Sequence, residues 1–382
     1  MGLIQRVLVN LEDRRQRILK GEINCIPSPF KNFQQDFPGI EQGKYYCVSG
    51  ASKSGKSQLT SFLFLYTPIL YAYHHPDKVR IQIFYFPLEE TPEKITMRFM
   101  CHLLYILSDK KIRISPMELQ SVRQGHAVDS SILELLNSLE YRSILDFYEE
   151  HVHFISERNP TAAWKTISRY AQEAGTIHKK TVIIENKETN VRQEKEVFDY
   201  YEPKDPNEYV EIIWDHQSLT ELERGMTLKE CIDKLSEYFM VFRNHYNYIP
   251  VMIAQQNSET ISLDAYKNNK VKPTLAGIAD SKNVGKDCTI MLGITNPYAF
   301  ELPYYPYPND ANNPNNYLIR NLKGYYRFLE VVLSREGESN GNLSLYFDGA
   351  TNYFAPLPPP TDATNLRKVY ELVNKNMGLS SK

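Results

Sequence analysis

Gly50, Ala51, Ser52, Lys53, Ser54, Gly55, Lys56 and Ser57 form the pattern Gly-x-x-x-x-Gly-Lys-Ser, in which residue type and spacing together specify phosphate chemistry. Glycines let a backbone curl until successive N–H groups point inward at phosphate oxygens. Lys56 is then placed to reach β- and γ-phosphates, and the Ser57 hydroxyl to ligate Mg²⁺. Gln58 completes the candidate nucleotide-binding set. Lys53 is a further cation in the loop, and a solvated surface lysine is its ordinary reading. ATP and Mg²⁺ are the implied cofactors.

Other chemistry-bearing residues fall at the ends of apolar runs. Phe86-Pro-Leu-Glu89 closes one such run. Ligands of parallel sheets gather at the carboxyl ends of strands, so Glu89 is expected beside the loop, on a strand adjoining the loop strand. A carboxylate there can orient and deprotonate the water that attacks a γ-phosphate. Glu90 competes for that role. Asp215 ends Tyr209-Val-Glu-Ile-Ile-Trp, the Walker B arrangement, where it would hold the Mg²⁺ shell. Ala254-Gln255-Gln256-Asn257 ends a further run with amides that could sense the γ-phosphate.

These positions require strands alternating with helices. Strands are expected at Lys44–Ser49, Val79–Phe86, His151–Ile155, Tyr209–Trp214, Val251–Ala254 and Ile290–Ile294, with the last ones at Phe328–Leu333 and Leu343–Phe347. Helices are expected from Leu11 to Lys20, from Gln58 to Tyr73, from the Thr91-Pro92-Glu93 cap, from Thr161 to Ala174, over 227–246 and near 365–376. This alternation predicts an α/β fold with a mostly parallel central sheet flanked by helices. Dense alternating charge over 178–206 reads as an inserted β-hairpin. The chain divides into an N-terminal linker helix (1–25), an ATPase domain (26–355), and a Pro-rich linker with a C-terminal helix (356–382).

A net charge of −2 argues against a broadly basic nucleic-acid coat, so any contact with DNA must come from local loops. No apolar run approaches the ~18 residues of a membrane span. The N-terminus reads straight into a charged helix rather than a signal peptide, and Arg6 stands where a myristoylation signal has Ser or Thr. A cytoplasmic protein with no membrane partner is expected. Cys25, Cys47, Cys101, Cys231 and Cys288 are scattered, which predicts reduced thiols. The 27 tyrosines are expected to serve packing.

The phosphate loop, Glu89, Asp215 and the Gln255–Gln256 strand end, in this order, resemble the RecA-like motor domain of DnaB-type replicative helicases. The likeness extends to Arg14–Phe30, similar to the family's linker helix and its Ile-Pro-Thr-Gly-Phe motif. Phe86–Arg98 resembles its Ser-Leu-Glu-Met segment, Ile249–Gln256 its Pro-Val-x-x-x-Ser-Gln strand, and Lys272–Ser281 its Pro-x-Leu-Ser-Asp-Leu-Arg-x-Ser segment. The resemblance implies a RecA-like P-loop NTPase fold, Glu89 as catalytic glutamate and Gln256 as sensor. It implies that Arg335, near the family's Lys-Gln-Arg strand end, acts as arginine finger on a neighbour's nucleotide. It also implies that Lys267, Lys270 and Lys272 lie in a pore loop gripping single-stranded DNA. The helix at 11–20 would dock on a neighbour, giving a homohexameric ring, with a primase or helicase loader as further partner. A phage-encoded member, acting in the host cytoplasm, fits the divergence. The family's N-terminal collar is missing from this sequence, and Ala279 replaces the arginine of the Leu-Arg-x-Ser segment. The expected function is an ATP-dependent DNA helicase or translocase in replication. The alternatives are a recombinase or mediator ATPase of the same fold, and a nucleotide-switched scaffold that docks through its Pro-rich tail.

Overall fold

The computed structural model describes residues 2–185, 192–257, 271–306, 312–337 and 341–379. Helix α1 (Leu3–Leu19) precedes β1 (Tyr46–Gly50), the strand that feeds the phosphate loop, and α2 (Lys56–Ser61) follows the loop. Helix α1 starts well before Leu11 and ends where expected, just ahead of Gly21, whose φ of +77° favours glycine. After α2 the helical path changes to a π-turn over Phe62–Tyr66 and then resumes as α-helix over Thr67–His74. Pro68 explains the break, since it has no N–H to continue the ladder. Thr67 Oγ1 donates to Phe62 O at 2.7 Å, the same carbonyl that accepts from Thr67 N.

The chain continues through β2 (Arg80–Pro87), α3 (Pro92–Leu107), α4 (Leu139–His151), β3 (Val152–Phe154) and α5 (Pro160–Ala174). The cap of α5 is Asn159 rather than Thr161. Pro160 fixes the first helical φ, and Asn159 Oδ1 accepts from Ala162 N at 2.9 Å. Then come β4 (Gly175–Glu185), β5 (Arg192–Pro203), β6 (Glu208–Asp215), α6 (Leu228–Tyr246), β7 (Ile249–Gln255) and β8 (Ile290–Thr295). Last are β9 (Tyr326–Ser334), β10 (Asn342–Asp348), β11 (Tyr353–Pro356) and α7 (Ala363–Asn376).

Nine strands form the central sheet in the order β11-β10-β9-β8-β1-β7-β6-β2-β3. The run from β8 to β3 is parallel, and β9, β10 and β11 add antiparallel. Strand β2 therefore does not adjoin β1: β7 and β6 lie between them. Helices and loops cover both sheet faces, so strands β1 and β8 are buried from end to end, and β6 from Tyr209 onward. Tyr46, Val48, Ile213 and Val251 belong to one core, and Cys47, Trp214, Met252 and Phe239 to the other. Many tyrosines pack as expected, with Tyr45, Tyr46, Tyr66, Tyr85, Tyr209, Tyr305 and Tyr326 among the largest fully buried side chains. All the cysteines are free thiols. Among the described residues, strands β4 and β5 pair only with each other, from Gly175↔Pro203 outward, a hairpin shifted slightly ahead of the 178–206 span that the charge alternation suggested. Among the described residues, no helix is long and apolar enough to cross a membrane.

Glu211, in the middle of β6, is fully buried and flanked by Ile83 and Ile249 on the neighbouring strands. Neither carboxyl oxygen has a hydrogen-bond partner among the described residues. Burial raises its pKa well above the usual carboxyl range, so the folded protein holds this proton where the unfolded chain releases it. Stability is then lost as pH rises above the unfolded value near 4.5. Glu211→Met removes both the proton and the unpaired oxygens. It should stabilise by about 1–3 kcal/mol at neutral pH, and the gain over the parent should widen from pH 5 to pH 8. Thermal melts across that range check this. A destabilised variant, or a gain independent of pH, would contradict it.

Candidate active site

The loop between β1 and α2 is shaped by close approaches that only glycine permits. A Cβ on Gly50 would lie 2.5 Å from Ile294 O, in β8, and 2.5 Å from Ser54 Oγ. Gly55 has a φ of +100°. Ser54 Oγ is buried without a hydrogen-bond partner among the described residues, and Asn296, at the end of β8, donates through Nδ2 to Lys53 O at 3.4 Å. The loop therefore hangs between β1, β7 and β8, with Gln256 N donating to Gly50 O at 3.0 Å.

Lys56 is 8% exposed and its ammonium donates to Ala51 O at 3.0 Å, folding back across the loop. Burial lowers its pKa, while Glu89 and Asp215 oppose that by favouring the charged form. Both carboxylates therefore act on this lysine although they arise far away in the chain. Ser57 Oγ donates to Asp215 Oδ1 at 3.0 Å, and Tyr85 OH donates to Asp215 Oδ2 at 2.9 Å. Asp215 is 3% exposed, and burial pushes its pKa up to about 6 against the hydrogen bonds from Tyr85 and Ser57. A buried carboxylate that accepts from two hydroxyls at a strand end suits a divalent cation. Ser57 and Asp215 are the residues that would hold Mg²⁺, which when bound neutralises charge on β- and γ-phosphate oxygens.

Glu89 and Glu90 separate cleanly. Glu90 forms an ion pair with Arg98 of α3 through both carboxylate oxygens. Glu89 is half-exposed, with Oε2 3.8 Å from His216 Nε2. Its strand is not next to the loop strand, yet β2 and β6 run in register, and Leu88 N donates to Asp215 O at 2.9 Å. Glu89 is thus carried to the Asp215–His216 corner. Burial, more than the opposing Glu89 charge, lowers the His216 pKa, which leaves the ring neutral at neutral pH. The sequence reading missed His216 and Tyr85. Each adjoins a flagged residue, but nothing in its own pattern distinguishes it.

Gln256 is buried, with Nε2 donating to Ser49 Oγ at 2.8 Å and to Thr274 O at 3.0 Å, while Oε1 accepts from Thr274 N at 3.1 Å. The amide ties the loop strand to the 271–281 segment. Arg335 lies at the other end of the sheet from its own phosphate loop, since Ser334 pairs with Ile290 while Gly50 pairs with Ile294. Its guanidinium donates to Cys288 O at 2.9 Å and to Lys286 O. Lys272 Nζ lies 3.9 Å from Glu330 Oε2. Lys267 and Lys270 lie outside the described residues.

No protein-family profile and no curated protein sequence matches the chain. Solved structures do. One, described as an ATPase domain, aligns over 94% of this chain and 100% of its own, with a TM-score of 0.56 at 13% identity. Another, described as a DnaB-like replicative helicase and its interactions with primase, aligns over 94% of this chain and 68% of its own, with a TM-score of 0.58 at 13% identity. The nine-stranded, mostly parallel sheet with its loop after β1 thus has the RecA-like fold of a DnaB-type helicase ATPase domain.

Proposed function

We propose that this chain is an ATP-driven motor that assembles as a ring and translocates on single-stranded DNA, unwinding duplex ahead of it. The observation that carries the reading is the convergence of Lys56, Ser57, Asp215 and Glu89, from three separate segments, around one phosphate loop. In the mechanism, loop N–H groups and Lys56 bind the β- and γ-phosphates, and Ser57 and Asp215 carry the Mg²⁺ shell. Glu89 orients the attacking water and takes its proton. Gln256 links the loop strand to the segment that leads back from the pore-loop region, so a change at the γ-phosphate can be passed to it.

Ring assembly is supported by α1, which leaves Ile4, Val7, Leu8, Leu11, Ile18 and Leu19 exposed, an apolar surface suited to a neighbouring copy. Arg335 is placed away from its own loop, as an arginine finger acting in trans requires. In a ring it would exchange the carbonyls of Cys288 and Lys286 for the neighbour's γ-phosphate. Lys267, Lys270 and Lys272 would line the DNA path, and a primase or loader would be a further partner.

The test is unwinding of a forked duplex with ATP and Mg²⁺, combined with mass photometry for the subunit count. Strand separation by a hexamer is expected. An active ATPase that neither unwinds nor translocates would sink the motor reading, and filaments on DNA would favour a recombinase-like role.

A further inference from the structure

Arg327, in β9, is 6% exposed and lies against the phosphate loop. Its Nε donates to Ser54 O at 2.7 Å, and a Cβ placed on Gly55 would lie 3.3 Å from the same nitrogen. Its Nη1 donates to Gly324 O at 2.8 Å and to Tyr326 O at 2.7 Å. The guanidinium carbon sits 4.6 Å from the centre of the Phe347 ring.

Carbonyl oxygens satisfy N–H groups, and a ring face attracts a cation, but neither carries a neutralising charge. Among the described residues no carboxylate forms an ion pair with Arg327. Burial alone pulls its pKa down to about 9. A buried cation without a counter-ion is costly. Lys56, the other buried cation of the loop, differs because Glu89 and Asp215 act on it. The loop therefore carries one positive charge that nothing in the described fold offsets, at the place where the sequence pattern expects phosphates.

We propose that Arg327 supplies, from within the same chain, a positive charge that the bound nucleotide's phosphates complete, while its grip on Ser54 O positions the loop. This rests on the nucleotide reading of the loop given above. Arg327 acts through the loop backbone and the local field, so it is a positioning residue. It is distinct from Arg335, which is assigned to a neighbouring site. The interaction selects for charge on the phosphate chain and is indifferent to the base.

The test measures Mg²⁺-free binding of AMP, ADP, ATP and inorganic tripolyphosphate to the full chain by calorimetry, for the parent and for Arg327→Gln, Arg327→Met and Arg327→Lys. In the two neutral variants ATP and tripolyphosphate should bind on the order of tenfold more weakly. The loss should shrink from ATP to ADP to AMP, and lysine should restore most of it. An affinity ladder in Arg327→Gln equal to the parent's overturns the proposal. So does a uniform loss that ignores phosphate number and is not restored by lysine. If the parent binds neither ATP nor tripolyphosphate, the nucleotide reading fails instead, and the two failures are told apart by that one measurement.

Discussion

Glu89→Gln should lower ATP turnover by about 10²–10⁴-fold, the range for loss of a positioned general base, while ATP binding stays close to the parent's. Glu90→Gln should leave turnover within a few-fold and lower the melting temperature instead. The adjacent residues are chemically identical, and the contrast comes from what each touches. Glu90 is held by Arg98, whose side chain is 14% exposed, so losing the carboxylate strands a largely buried guanidinium. Glu89 stands at the end of β2 beside His216 and within the electrostatic reach of Lys56. Steady-state ATPase assays, nucleotide binding and thermal melts on both variants decide the matter. Equal loss of turnover in both, or an active Glu89→Gln, would remove Glu89 from the mechanism.

Lys56→Ala carries the other large effect, and its sign differs between activity and stability. A lysine–phosphate hydrogen bond with full charge assistance contributes about 1.5–3 kcal/mol, so ATP affinity should fall by roughly one to two orders of magnitude. Turnover should become undetectable, because the same group faces the charge that builds up on the transferred phosphoryl oxygens. The nucleotide-free protein should not be destabilised. Its ammonium is buried, and burial already disfavours the charged form. Melting temperature with and without ATP separates the two effects. The alanine variant should match the parent alone and fail to gain stability from ATP. A variant that melts early without nucleotide, or still gains fully from ATP, would mean that this lysine is structural.

The loop at 50–57, the apolar runs ending in Glu89 and Asp215, the helix start at Thr91-Pro92 and the helix over 227–246 are local features, and each was legible in the sequence. Local chemistry sets them: a glycine spacing, a period of apolar residues, and a cap whose side chain reaches three residues along, as Thr227 does to Glu230 N. The alternation of strands and helices fixes a parallel sheet for the same reason, and the hairpin of β4 and β5 follows from charge alternation along two edge-exposed strands.

What tertiary structure decided is the order in which those strands lie side by side. Sequence proximity suggested that β2 adjoins β1, whereas β7 and β6 come between them, so Glu89 reaches the site through its register with Asp215 and not through contact with the loop strand. Choosing Glu89 over Glu90 likewise needed Arg98, eight residues further on and nearly two helix turns inside α3. Arg327 and Glu211 show the same limit from the other side. Each is a charged residue within a largely apolar strand, and the sequence does not say whether that charge is solvated or buried; packing on both faces of the sheet buries it. Desolvation depends on every atom within several ångströms, most of them distant in the chain. The amino-acid sequence determined where the phosphate-loop pattern stands, and the fold determined which nearby charges are buried without a counter-ion among the described residues.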